Sequence, residues 1–368
     1  MGIGAAMIMP STLAIIRNVF AVEERAKAIG IWVGVASIGV PLGPIVGGLL
    51  LERFDWGSVF LINVPLIAVA IIGCITLIPE SKNADRKNLD VFGLALSVIG
   101  PLLLIYGIID APSRGWRAVS TIALIVLGLV FIASFIMWER RALNPMLSRA
   151  VFSDRRFGGP LITIATVFFG VFGCLFIVTQ YLQFTLGYSP LKAGMHMLAM
   201  CTAIFIAPLA PKLVERFGLG PVTVLGPLFV GAGIGALAIG DSPSSLQVIL
   251  ALGFLGLGIG FGAPPSVNSI IESTPEEQSG AGSAVADVAM QLGGALGIAI
   301  MGSAVTISAD GAPSSLALPA LLGASLAVIG GVAVISVLGN VRTVQAGHPN
   351  IDVALCQPVS PQQTTTTA

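Results

Sequence analysis

A chain of 368 residues that is 55% hydrophobic and only 10% charged, with a mean hydropathy of +0.96, lacks the roughly 25% charge usual in a water-soluble domain. Its 18 Lys and Arg residues balance 18 Asp and Glu, so no basic excess points to a nucleic-acid partner. With two histidines, four cysteines in no CxxC or CxxxH spacing, and no HExxH, GxSxG or GxxxxGK[ST] sequence, the chain offers no metal centre, redox pair or soluble-enzyme site.

Long apolar runs between short charged loops predict an all-α polytopic membrane protein, because a backbone in lipid must satisfy its polar groups within its own segment. In chain order, segments of spanning length are expected near 1–16, 28–51, 58–79, 91–109, 118–138, 158–183, 193–214, 219–240, 246–268, 281–306 and 316–338, about eleven transmembrane helices. The first, "MGIGAAMIMPSTLAII", has no positive region before it and reads as part of a membrane helix, not a signal peptide. It is shorter than the roughly 20 residues that cross about 30 Å of hydrocarbon. Residues 341–368 are polar and contain proline, and are expected to be a disordered tail.

Assigning successive loops to alternate sides orients these helices. Of the 18 basic residues only Arg53, Arg114, Arg117 and Lys192 fall on one side. Positive charge is retained in the cytoplasm, so the other side, which includes the loops near 80–90 and 139–157 and the C-terminus, is expected to be cytoplasmic. A multi-pass protein of the cell membrane follows, with the lipid bilayer as its surroundings.

The stretch "VASIGVPLGPIVGGLL" (35–50) carries Pro44 inside an apolar run, where proline costs about 3 kcal/mol in a helix interior. Gly39, Gly43 and Gly47 recur every fourth residue with Gly48 beside them, so they share a face on which a neighbouring backbone can approach closely. A bulky residue at Gly43 is expected to wedge such a seam apart. The Gly-rich "GFLGLGIGFG" (253–262) lies inside a continuous apolar run and reads as another close-packed helix face.

The pattern Gly39-x-x-x-Gly43-Pro44-x-x-Gly47-Gly48 resembles the antiporter motif in the fifth helix of drug:proton exporters of the major facilitator superfamily. "WGSVFLINVP" (56–65), "TQYLQFTLGYSPLKAG" (179–194) and "PEEQSGAGSAVADVAMQLGGALGIAIMGS" (275–303) resemble helices six, nine and thirteen of its 14-helix branch, the EmrB/QacA type. "PKLVERFG" (211–218) is similar to the second-half copy of the family's cytoplasmic loop motif, keeping Leu213, Glu215, Arg216 and Gly218, with Pro211 where Gly is usual.

The resemblance implies a major facilitator fold in which the segments correspond to family helices four to fourteen, helices one to three being absent. Residues 1–79 are then the remainder of the N-terminal bundle, 80–157 two linker helices with cytoplasmic loops, and 158–340 a C-terminal six-helix bundle.

Among the acidic residues, Asp287 alone lies well inside an apolar segment, where its charged form is costly; it is the candidate for proton coupling or for attracting a cationic substrate, the alternative being an Asp that reaches the cytoplasmic interface or bonds a neighbouring helix. In the family an Arg usually follows one turn later. Here that position is Met290, and Gln291 stands beside it. Gln180 and Gln183 share a face with Tyr181 beside them, and with Asn63 and Gln291 they are candidates to line a cavity or to bond neighbouring helices. His196, near Lys192, is a titratable group at a helix end whose role is expected to be structural.

The resemblance implies proton-coupled efflux of amphiphilic or cationic small molecules by alternating access, with the proton as coupling ion and no other cofactor. The alternative is a truncated, non-transporting remnant or half-assembly of such a transporter. Substrate identity and oligomeric state are not legible in the sequence.

Overall fold

The computed structural model describes residues 21–77, 90–141, 154–240, 242–274, 279–309 and 316–338, with a few positions between 8 and 20. The expected first span therefore lies largely outside the described residues, and the expected disordered tail entirely so. Every regular element among the described residues is helical. In chain order these are α1 (Val22–Arg53), a single turn Ser58–Leu61 leading into α2 (Asn63–Leu77), α3 (Val91–Arg114), α4 (Val119–Arg141) and α5 (Arg155–Gln180). They continue with α6 (Pro190–Met197), α7 (Ala210–Phe217), α8 (Leu219–Ala236), α9 (Ser245–Glu272), α10 (Ser279–Ala309) and α11 (Ala317–Leu338).

Polar residues at the loop edges start these helices. Asp90 accepts the Gly93 N–H at 2.9 Å, Asp154 the Arg156 N–H at 2.8 Å and Ser189 the Lys192 N–H at 3.3 Å, with Pro190 in the first turn of α6. Ser244 and Gln247 form a reciprocal capping box at the start of α9.

Eight of the described helices are long and apolar enough to span a membrane, and one further pair is bent. That pair corrects the expected continuous span 193–214. After α6 the chain tightens into a 3₁₀ turn at Leu198–Cys201, continues as Thr202–Ile206, and bends by 50° into α7. Pro208 and Pro211 supply no backbone donor there, so the ladder of hydrogen bonds cannot run through. α1 also begins upstream of the expected 28–51, because the exposed Glu24 and Lys27 ride on the same continuous helix.

The helices from α5 onward pack into one bundle, with α5 against α8, α9, α10 and α11. Small residues allow this closeness. A Cβ on Gly173 would lie 2.9 Å from the Gly297 carbonyl oxygen on α10, and one on Gly226 of α8 would lie 2.7 Å from the Gly262 Cα on α9. The glycines of 253–262 thus form the expected close-packed surface, against α8 on one side and Met200–Ile206 on the other.

α3 and α4 form a tight antiparallel hairpin through Gly100, Gly107 and Gly128. It leans on α10, where the Ser303 hydroxyl donates to the Ile108 carbonyl at 3.1 Å. α1 packs along α6, Thr202–Ile206 and α9. No residue of α2 is buried among the described residues.

Candidate functional site

The seam between α1 and the bundle carries the first candidate. A Cβ on Gly48 would sit 2.9 Å from the Leu191 nitrogen, and one on Gly30 would sit 2.8 Å from the Ala207 carbonyl oxygen. Gly194 of α6 faces Pro44 and Ile45 at about 3 Å by the same measure. Gly39, Gly43 and Gly47 would each meet nothing within 4 Å among the described residues. The face expected to be close-packed is therefore open here, and the packed face lies on the opposite side of α1.

Helical spacing explains the difference. At 100° per residue Gly30 and Gly48 fall half a turn away from Gly39, so one helix carries two glycine faces. Spacing reveals that both exist but not which one has a neighbour. α1 runs unbroken through Pro44, which helps to build the packed face near the C-terminal end of the helix.

Beside the start of α6, three elements meet at one hydroxyl. α5 widens into a π-helical turn over Tyr181–Thr185, closed by the Leu186 N–H donating to the Tyr181 carbonyl at 3.0 Å. The Tyr181 side chain is 3% exposed and its hydroxyl donates to the Pro243 carbonyl at 3.1 Å. It holds the connection between α8 and α9 and does not present a free phenol to a cavity. Seven residues later, the Tyr188 hydroxyl lies 3.2 Å from the Ser245 Oγ, and His196 Nε2 lies 3.4 Å from the same oxygen.

The other ring nitrogen of His196, Nδ1, is 2.9 Å from the Lys192 carbonyl. A carbonyl only accepts, so Nδ1 carries the proton and donates, and in the neutral ring Nε2 accepts from Ser245. The Lys192 ammonium sits 3.6 Å above the Tyr188 ring. Both ring nitrogens of His196 are thus engaged at this junction. The role of Ser245, on another helix, had no signal in the sequence beyond a cap-type Ser-Ser pair.

Asp287 lies on α10 about 12 Å from the helix start at 1.5 Å per residue. It is 7% exposed, with Ala286 and Met290 buried beside it, and its carboxylate has no hydrogen-bond or ion-pair partner among the described residues. Gln291, one turn on, is exposed. Gln180 and Gln183 are half-buried at the C-terminal end of α5 and in its π turn, and Asn63 is half-buried at the start of α2. Gln180 and Gln183 are not gathered around Asp287: they lie near the C-terminal end of α5, whereas Asp287 lies near the N-terminal end of α10, and these two helices run parallel with Ala165 beside Gly293.

The motif over 211–218 closes α7. Gly218 adopts φ +88°, in the left-handed region that favours glycine, and its N–H donates to the Val214 carbonyl at 2.8 Å. Glu215 and Arg216 are exposed, with the Arg216 guanidinium over the Phe217 ring at 5.3 Å, and Leu213 is half-buried.

The profile of the Major Facilitator Superfamily matches residues 1–298. The chain is 33% identical over 304 residues to the multidrug resistance protein Stp of Mycobacterium tuberculosis, covering 82% of this chain and 57% of that protein. It is 34% identical over 342 residues to the multidrug efflux pump LfrA of Mycolicibacterium smegmatis, covering 91% and 68%. It is 33% identical over 307 residues to the tetracenomycin C resistance and export protein of Streptomyces glaucescens, covering 82% and 56%. The chain thus spans little more than half the length of the first and third of these relatives.

Proposed function

Because the chain belongs to the Major Facilitator Superfamily, we propose that it takes part in export of amphiphilic or cationic small molecules in exchange for protons, by alternating access between two helix bundles. The observation that carries the reading is Asp287. It is an acid almost wholly enclosed in a spanning helix, without a partner among the described residues, and a proton or a cation is what such a group accommodates. The relatives, which include multidrug and antibiotic resistance proteins, support a drug-like cargo.

In this reading α1, packed along α6 and α9, is the moving seam between the bundles. The α3–α4 hairpin is the linker pair of the 14-helix branch, and α5 to α11 make up the second bundle. The uneven distribution of basic residues supports an orientation in the cell membrane with the C-terminus in the cytoplasm.

The test is accumulation of a fluorescent lipophilic cation in an efflux-deficient bacterium producing the chain. Lower accumulation than in vector cells, restored by a protonophore, is expected. Equal accumulation, with the chain present in the membrane at normal level, contradicts it.

A further inference from the structure

A groove of about 520 Å³ runs between α5, α10 and α11, on the face of α10 that carries Val288, not the face that carries Asp287. Leu161, Ile162, Phe169, Val288, Leu292 and Leu326 line it, and Val288 is 51% exposed, so the groove opens sideways from the bundle. Its floor is the contact of Gly293 with the Ala165 backbone. From Leu161 to Phe169 it extends about 12 Å along α5. Above Ile300, one turn further, α3 crosses α10 at Ser303.

The lower mouth is charged. Arg155, Gly158 and Ile162 follow one another at i, i+3 and i+7, so Arg155 shares the face of α5 that carries the groove, about two turns before Ile162. A Cβ on Gly158, between them, would meet nothing within 4 Å among the described residues. Arg155 and Arg156 are exposed, and among the described residues neither guanidinium has an ion-pair or hydrogen-bond partner. Of the neighbouring Asp154 carboxylate, Oδ1 accepts the Arg156 N–H at 2.8 Å. Arg155 lies on the side that the distribution of basic residues assigns to the cytoplasm.

The geometry points to a phospholipid site: an acyl chain of an inner-leaflet lipid fills the groove, and its anionic head group pairs with Arg155. A cationic amphiphile meets an unneutralised arginine at the mouth and is disfavoured, which separates this site from the one proposed for substrate. A zwitterionic lipid fits the groove but gains less from Arg155.

The test is native mass spectrometry of the detergent-purified 368-residue chain, equilibrated with equal amounts of phosphatidylglycerol and phosphatidylcholine of identical acyl chains. Phosphatidylglycerol is expected to be retained about fivefold over phosphatidylcholine, the preference one basic side chain confers near a membrane surface. Arg155→Ala removes that preference, whereas Arg156→Ala, which loses the same charge from a different face, keeps it. Val288→Trp, filling the groove, lowers retention of both lipids. Equal retention by the unaltered chain, or equal loss with Arg155→Ala and Arg156→Ala, overturns the assignment. Helix content measured on each variant separates either result from misfolding.

Discussion

Gly48 and Gly43 lie five residues apart on one helix and predict opposite outcomes. Alanine at Gly48 forces its methyl group against the Leu191 backbone, which cannot yield as a side chain tip does. Gly48→Ala is expected to destabilise by about 1–3 kcal/mol, the usual cost of overpacking. Gly43→Ala meets open space and is expected to be neutral or to stabilise by about 0.5–1 kcal/mol through helix propensity. Thermal unfolding in detergent compares them, and equal loss at both positions contradicts the seam described here.

Asp90 gives a second test at this scale. The Gly93 N–H, then the Trp138 indole N–H at 2.7 Å, hold its carboxylate below the ordinary value. A lowered folded-state pKa means that the stabilisation is present above the ordinary carboxylate range and is lost as pH falls through the lowered value. Trp138 emission is therefore expected to change on acidification below the ordinary range and to lose that transition in Asp90→Asn. Asp287 was legible as the one acid inside an apolar run. Tyr181 was read as lining a cavity because spacing shows which residues share a face, not where the next helix stands.

Elements were legible wherever length and hydropathy decide them, which covers α2 to α5 and α8 to α11. They were less so where single donors decide. The span expected over 193–214 is apolar throughout, and a hydropathy reading passes over the two missing N–H groups at Pro208 and Pro211 that break it. The π turn at Tyr181–Thr185 has no sequence marker at all. It precedes the loop that Tyr188, His196 and Ser245 hold in place. Ser245→Ala removes both of those hydrogen bonds at once, and each is worth about 0.5–1.5 kcal/mol. Amide exchange in residues 186–196 is expected to accelerate about fivefold to a hundredfold on local opening. Unchanged exchange there would mean that the loop is held by packing alone.

At the scale of the molecule, α1 binds the bundle at both ends, through Gly30 at Ala207 and Gly48 at Leu191, while no residue of α2 is buried among the described residues. Composition alone yielded the membrane class, and the order of motifs along the chain yielded the superfamily. The partner faces of α1 and α10 depend on which helices stand beside them, and no local pattern encodes that. The central proposal is that Asp287 carries the proton exchanged for substrate. It is tested most directly in proteoliposomes, by following proton movement driven by an imposed gradient of a lipophilic cation. The account predicts coupled proton flux with the unaltered chain and its loss in Asp287→Asn, with the cation still bound. Proton flux per cation that is unchanged in Asp287→Asn would contradict it.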